Sequence, residues 1–260
     1  MYFAIDNWGL LIAVVMVLIA AGVSVLMKLD IAKSLIWATI RSLVQLLAMG
    51  FILAYVIKQN NVWLVFGLIV LMLVAATQIT LDRAKGIPKG LVPLILLSLT
   101  VTMLLMVSIV GELVVRPTPW YAPQFIVPLS GMLLGNTVSA LALGLSRFFN
   151  SMRERYDEVN TLLALGATKW EAAKPSIISS ITLGLLPTIA TLASSGIVTI
   201  PGMMAGQIIA GQSPVNAAKY QFVVLAAIAA LTLVADALIM TMTYRTCFTD
   251  KDQYKPPEDR

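Results

Sequence analysis

FVVLAAIAALTLVADALIMTMTY fills residues 222–244 and carries a single charge, Asp236. Coiled as a helix at 1.5 Å per residue, a run of this length reaches roughly 35 Å, enough to cross a hydrocarbon core of about 30 Å. The same window, about 20 apolar residues, picks out further spans upstream: Trp8–Met27, Ile31–Ile57, Trp63–Thr80, Leu91–Gly111, Phe125–Phe148 and Ile177–Thr199. Over all 260 residues, 59% are hydrophobic and 12% are charged, against about 25% charged in soluble domains. Inside a bilayer the backbone must satisfy its own polar groups. The expected fold is therefore all-α: a polytopic membrane bundle of about seven helices. One transmembrane domain covers residues 1–248, and the charged tail 249–260 is expected to be disordered.

Charge sets the expected orientation. Of the 18 Lys and Arg residues, only Lys58, Arg116 and Lys219 fall on the side that also holds the N-terminus, and Arg41 falls within a span. The others gather on the opposite side. By the positive-inside bias the N-terminus is outside and the C-terminus cytoplasmic. Lys28 and Lys33 follow the first span, and the acidic MYFAIDN precedes it, so that span reads as a retained helix rather than a cleaved signal. Asp30 is placed to cap the second helix. Trp63 and Trp120–Tyr121 fit an outer aromatic belt. The net charge of +5 follows from this distribution and calls for no nucleic acid. With no histidine and one cysteine, Cys247, an intrachain disulfide and a Cys/His metal site are both excluded.

Between the fifth and sixth spans lies NSMRERYDEVNTLLALGATKWEAAKPS, residues 150–176. Leu162 and Leu165 share a helical face. Gly166 can turn the chain between two short helices, the second ending at Pro175. The segment reads as a cytoplasmic lever or docking element. No G-x-x-x-x-G-K-[ST] phosphate loop occurs in the chain, so any ATP-driven step needs another polypeptide. No nucleophile–base set marks an enzyme.

The run IPGMMAGQIIAGQSP, residues 200–214, is apolar yet broken by proline and glycine. Glycine costs about 1 kcal/mol and proline about 3 inside a helix. It reads as a broken or re-entrant element acting as an outer gate or hinge, with Gly202 and Gly206 permitting close approach.

Four stretches together carry a family resemblance: RSLVQLLAMGFIL (41–53), VPLSGMLLGNTVSALALGLSR (127–147), LLALGAT (162–168) and TIPGMMAGQIIAGQSPVNAAKYQ (199–221). In this order the chain resembles the Fet-type iron-export ABC permease family, which includes bacterial iron exporters and plant aluminium-tolerance permeases. LLALGAT is similar to the permease coupling loop E-A-A-x-x-x-G, although Asn160 stands where that pattern has Glu. The resemblance implies a multi-pass subunit of the inner (plasma) membrane. It would work as a homodimer with two separate ATP-binding subunits, which would hold the ATP and Mg, while this chain holds no cofactor and is no enzyme. Leu162, Leu165, Gly166, Ala167 and Trp170 would then form the ATPase coupling site. Other cargos (another metal, a metal complex or a nucleotide sugar) and a partner-independent secondary transporter are the alternatives.

Polar groups within apolar spans are candidates for a pathway. Arg41 and Gln45 lie one turn apart, and the resemblance at R-x-x-x-Q-L favours a bundle-facing role for them. Asp236 needs a partner or a proton, and Arg41 is the charged partner expected for it. Asn136 follows Gly131 and Gly135, whose GxxxG spacing, extended by Ala140 and Gly144, suits close helix packing. Met203, Met204 and Gln207 complete the set. Thioethers suit soft metals, but methionine also serves as flexible packing. Glu112, at the outer end of the fourth span, is expected to be solvated. No metal-ligand set can be read from the sequence.

Overall fold

The computed structural model describes residues 7–29, 31–88, 90–249 and 253–255. Asp30, expected as a helix cap, and most of the tail lie outside them. The described elements are α1 (Asn7–Leu26), α2 (Ala32–Gln59), α3 (Val62–Arg83), α4 (Val92–Met106), α5 (Pro123–Glu154), α6 (Tyr156–Ala164), α7 (Lys169–Ser194), α8 (Gly202–Ile209) and α9 (Pro214–Thr243). α4 continues as a wider π-helical stretch, Val107–Val115, and α9 ends in a 3-10 turn, Tyr244–Cys247. Six of these helices, counting the continuations, are long and apolar enough to cross a membrane, and Leu11–Leu26 is a shorter apolar helix. The chain is a polytopic helical bundle.

α5 is the central post. Leu133, Leu141, Leu145, Phe148 and Phe149 are fully buried there, and α3, α4, α7 and α9 pack around it. α1 and α2 lean on each other at the edge of the bundle. Large apolar side chains such as Trp37 and Phe51 point away from the protein there, as a lipid-facing surface requires.

Several helices run beyond the apolar windows because local signals extend them. α5 and α9 begin on Pro123 and Pro214, whose fixed φ suits the first helical turn. α7 begins eight residues before Ile177. There the Thr168 hydroxyl accepts from the Glu171 N–H while the Glu171 carboxylate accepts from the Thr168 N–H, a complete capping box. The expected stop at Pro175 does not occur, since α7 passes through Pro175 and Pro187 to Ser194. Its Ala172, Ala173, Ser176 and Ile177 face is buried, and Arg155 braces that turn by donating to Ser176 Oγ at 2.8 Å. Tertiary packing outweighs the one lost backbone bond.

The cation-rich ends of the helices are tied together. The Lys85 N–H donates to Ser146 Oγ at 2.8 Å, and Arg153 donates to the Gly86 carbonyl at 2.5 Å. The tail is ordered where it is described. Phe248 and Tyr254 pair as an antiparallel bridge, and the Lys255 N–H donates to the Cys247 carbonyl at 2.9 Å. The Tyr254 ring packs 5.5 Å from that of Tyr156 in α6. Burial pushes the Tyr254 phenol up to about 12. Aromatic contact thus holds Tyr254 in place despite the low apolar content of the tail.

Candidate functional site: a coupling turn and a buried polar seam

Two places carry the candidate residues. The first is the turn between α6 and α7. Gly166 has φ +92°, a backbone state that disfavours any side chain. Its N–H donates to the Leu163 carbonyl and the Ala167 N–H to the Leu162 carbonyl, at 3.0 and 2.9 Å, which closes the helix end. Leu162 packs against the core, while Leu165 is 80% exposed. The two leucines therefore divide the work: one anchors α6 and the other projects. Ala167 is half-buried, and Trp170 is exposed with its ring 5.5 Å from Tyr244. α6 is held at its other end by Arg155, whose guanidinium grips both oxygens of Glu158 at 2.8 and 2.5 Å. This contact holds the Glu158 carboxyl below its usual range. Lys169 fastens the start of α7 to the Thr249 carbonyl at 3.0 Å.

The second place is a seam where α5, α7 and α9 meet. Asp236 is fully buried there, and neither carboxylate oxygen has a hydrogen-bond partner. Gly144 on α5 and Gly184 on α7 make room for it. A Cβ on Gly184 would stand 2.8 Å from Asp236 Oδ2 and 2.9 Å from the Ala140 carbonyl oxygen. One turn away the Thr137 and Thr232 hydroxyls meet at 3.4 Å. Toward the cation-rich end the Ser151 and Ser176 hydroxyls meet at 2.9 Å. A buried polar group left unsatisfied costs about 1–3 kcal/mol, so this seam weakens the resting fold.

The structure separates several residues that sequence reasoning joins. Arg41 and Gln45 lie exposed on α2 at the bundle edge, and no salt bridge links Arg41 to Asp236. The expected pair does not form, because α5, α7 and α9 close around Asp236 without α2. Asn136 is half-buried and donates to the Met132 carbonyl at 2.8 Å within its own helix. The broken run forms the short helix α8, which returns the chain from α7 to α9. Met203 packs against the core, Met204 and Gln207 are half-buried, and the Met204 N–H donates to Gln221 Oε1 at 3.2 Å. A Cβ on Gly202, Gly206 or Gly135 would meet nothing within 4 Å. The close approach expected along α5 is found at Gly144, where a Cβ would stand 3.0 Å from Met240 Cε, and at Gly131, 3.3 Å from Met72 Cε, while Gly184 on α7 adds an approach that the spacing does not predict. Glu112 is exposed on the π-helical stretch, beside a shallow cavity of about 360 Å³ shared with Gly111, Arg116 and Trp120.

Sequence reasoning does not reach Gly184, Thr232, Ser176 or Gln221. One signal for them exists: Thr232 and Gln221 fall on the Asp236 face of α9 at helical spacing. Among the described residues no three His, Cys, Asp or Glu side chains gather as a metal site.

Comparison with known proteins places the chain. The UPF0014 membrane protein slr1647 of Synechocystis is 30% identical over 225 residues, 86% of this chain and 87% of its own length. The probable iron export permease protein FetB of Escherichia coli is 27% identical over 249 residues, 96% of this chain and 95% of its own. The protein ALUMINUM SENSITIVE 3 of Arabidopsis thaliana is 30% identical over 217 residues, 82% of this chain and 77% of its own. No solved structure matches the chain. A family model described as an uncharacterised protein family, UPF0014, matches residues 7–248, and the chain belongs to that family of multi-span membrane proteins.

Proposed function

We propose that this chain is the membrane-spanning permease subunit of an ABC exporter of the inner (plasma) membrane, with iron as its cargo. Two copies assemble with two ATP-binding subunits, which supply the ATP and Mg site. One observation carries the reading: a rigid turn, Leu165–Gly166, projects from the cation-rich end and is braced on both sides. The turn leads directly into α7, whose 26 residues make a continuous rod of about 39 Å. A displacement imposed at Thr168 by closing ATPases moves the Gly184 contact with Asp236 deep in the bundle. Coupling of this kind shifts a two-state equilibrium by the difference in ATPase binding between the two states. The name of the Escherichia coli relative supports iron, and the name of the Arabidopsis relative keeps other metals in view.

The test is co-purification of the tagged chain with an ATP-hydrolysing subunit, followed by flux into inverted vesicles. Iron, other metals, metal complexes and nucleotide sugars serve as cargos. ATP-dependent iron uptake that needs both polypeptides is expected. Flux that proceeds without the ATP-binding subunit would establish a secondary transporter instead.

A further inference from the structure

We infer that one face of α9 lines the cargo path and that Asp236 is its station for a small, hard divalent cation. The inference rests on the transport reading above and adds the chemistry of the cargo and the place where it pauses. Gln221, Thr232, Asp236 and Thr243 are all buried. At 3.6 residues per turn they fall within an arc of roughly 60°. Six side-chain atoms among the described residues are buried without a partner, and four of them lie on this stripe: Gln221 Nε2, both oxygens of Asp236 and Thr243 Oγ1. Chance burial would scatter such atoms, whereas a path concentrates them.

The groups facing Asp236 identify the ligand. The Ala140 carbonyl oxygen lies 2.9 Å from the Gly184 Cβ position that Asp236 Oδ2 approaches to 2.8 Å. The Ser180 carbonyl oxygen lies 3.4 Å from the corresponding position on Gly144. A buried carboxylate near carbonyl oxygens is relieved by a proton or by a cation, and the transport reading assigns the cation. Among the described residues no basic side chain answers it: Arg41 is on the outer face of α2, and Arg147 is engaged with Ser179 and Glu154. The groups beside Asp236 offer oxygen, the atom preferred by hard cations, while Gln221 Nε2, about four turns away on the stripe, is an amide donor and no ligand. The thioethers of Met203 and Met204 belong to α8, which meets the stripe at Gln221, 15 residues along α9 from Asp236, so the surroundings of Asp236 itself select against soft metals. Asp236 is sealed in the conformation described. The cation enters when α7, the helix that begins at the coupling turn, moves away from α9.

Manganese(II) serves as a hard, paramagnetic probe, with the purified chain in lipid nanodiscs. Titration followed by electron paramagnetic resonance is expected to show saturable binding of one ion per chain. Equimolar cadmium(II), a softer ion, should fail to displace it. Asp236→Asn should weaken binding at least tenfold. A measurement on the unmodified chain guards against misfolding of the variant: manganese should suppress carbodiimide modification of the peptide containing Asp236. Wild-type affinity in Asp236→Asn, or modification indifferent to manganese, overturns the inference. Absent manganese binding alongside intact ATP-driven iron flux removes the station and leaves the permease reading standing. Manganese binding in a chain that recruits no ATPase supports the station and removes the permease reading.

Discussion

Gly184→Ala adds one methyl group where three helices touch. Its Cβ would stand 2.8 Å from Asp236 Oδ2 and 2.9 Å from the Ala140 carbonyl oxygen, where ordinary contact begins at 3.4 Å. About half an ångström must therefore be made on both sides. Ala140 offers backbone and cannot rotate away, and Asp236 is sealed on every side. Overpacking of this kind costs about 1–3 kcal/mol. Alanine returns up to about 1 kcal/mol of helix propensity over glycine. With the full propensity gain the expected net loss is up to about 2 kcal/mol. Gly135→Ala is the control, because nothing lies within 4 Å of its added methyl. It has the same propensity gain, which cancels between the two, so the variants should differ by the overpacking cost alone, about 1–3 kcal/mol. Reversible unfolding in mixed detergent and dodecyl sulfate micelles, followed by tryptophan fluorescence, measures both. If Gly184→Ala is as stable as Gly135→Ala, the three-helix contact is not where we place it.

Gly166→Pro forces φ from +92° to about −65° and removes the N–H bonded to Leu163; ATP hydrolysis should persist while cargo flux is lost, and normal coupling in reconstituted complexes would exclude the turn from coupling. Arg41→Ala and Asp236→Asn should be additive in a double-mutant cycle on stability, since the residues do not meet; a coupling energy above about 0.5 kcal/mol would reinstate the pair. The folded Glu158 carboxyl is held low by Arg155, so its contribution is present above the unfolded value of about 4.3 and is lost as pH falls through the lower folded value. Hydrogen exchange in α6 should therefore stay flat from about pH 7 to pH 5 and rise only in stronger acid, and Glu158→Gln should abolish that step; an opening midpoint above pH 5 would contradict the assignment. Met203→Leu and Met204→Leu conserve volume and should cost less than about 1.5 kcal/mol with flux retained; abolished flux in a folded complex would make the thioethers ligands.

Apolarity makes the spans legible because the bilayer imposes it on every residue of a crossing helix. It does not mark where the helices end. α5 runs past Phe148 to Glu154, and α7 starts at Lys169, because capping and packing extend a helix into water without any apolar signal. The T-x-x-E of Thr168 and Glu171 is a readable signal and sets the start of α7. The coupling turn is legible through Gly166, since a positive φ leaves few alternatives to glycine. The glycine contacts are not. GxxxG spacing reports which residues share a face, and only the neighbouring helix decides whether that face is used. Gly131 and Gly135 share the spacing, yet only Gly131 has a close neighbour, and the tightest contact falls on Gly184, whose sequence context TLGLLPT has no GxxxG repeat. Arg41 and Asp236 invite pairing as opposite charges in apolar runs, but α2 stands at the edge of the bundle.

Asp236 is conspicuous in the sequence and more so in the fold. In a sequence, one carboxylate within 23 apolar residues is an anomaly with two remedies, a basic partner or a proton. The fold withholds the basic partner and sets the group against Gly184 and Gly144 of the two neighbouring helices. Each unsatisfied buried atom costs about 1–3 kcal/mol, and a domain's net stability is only about 5–15 kcal/mol. The four orphaned atoms on α9 therefore cost an amount comparable to the whole stability of a fold. An apolar side chain in place of Asp236 would fill the seam beside Gly184 and remove its largest part. Packing alone would favour that replacement, so the carboxylate is the strongest argument for the state inferred above, in which α7 moves and a cation completes the site.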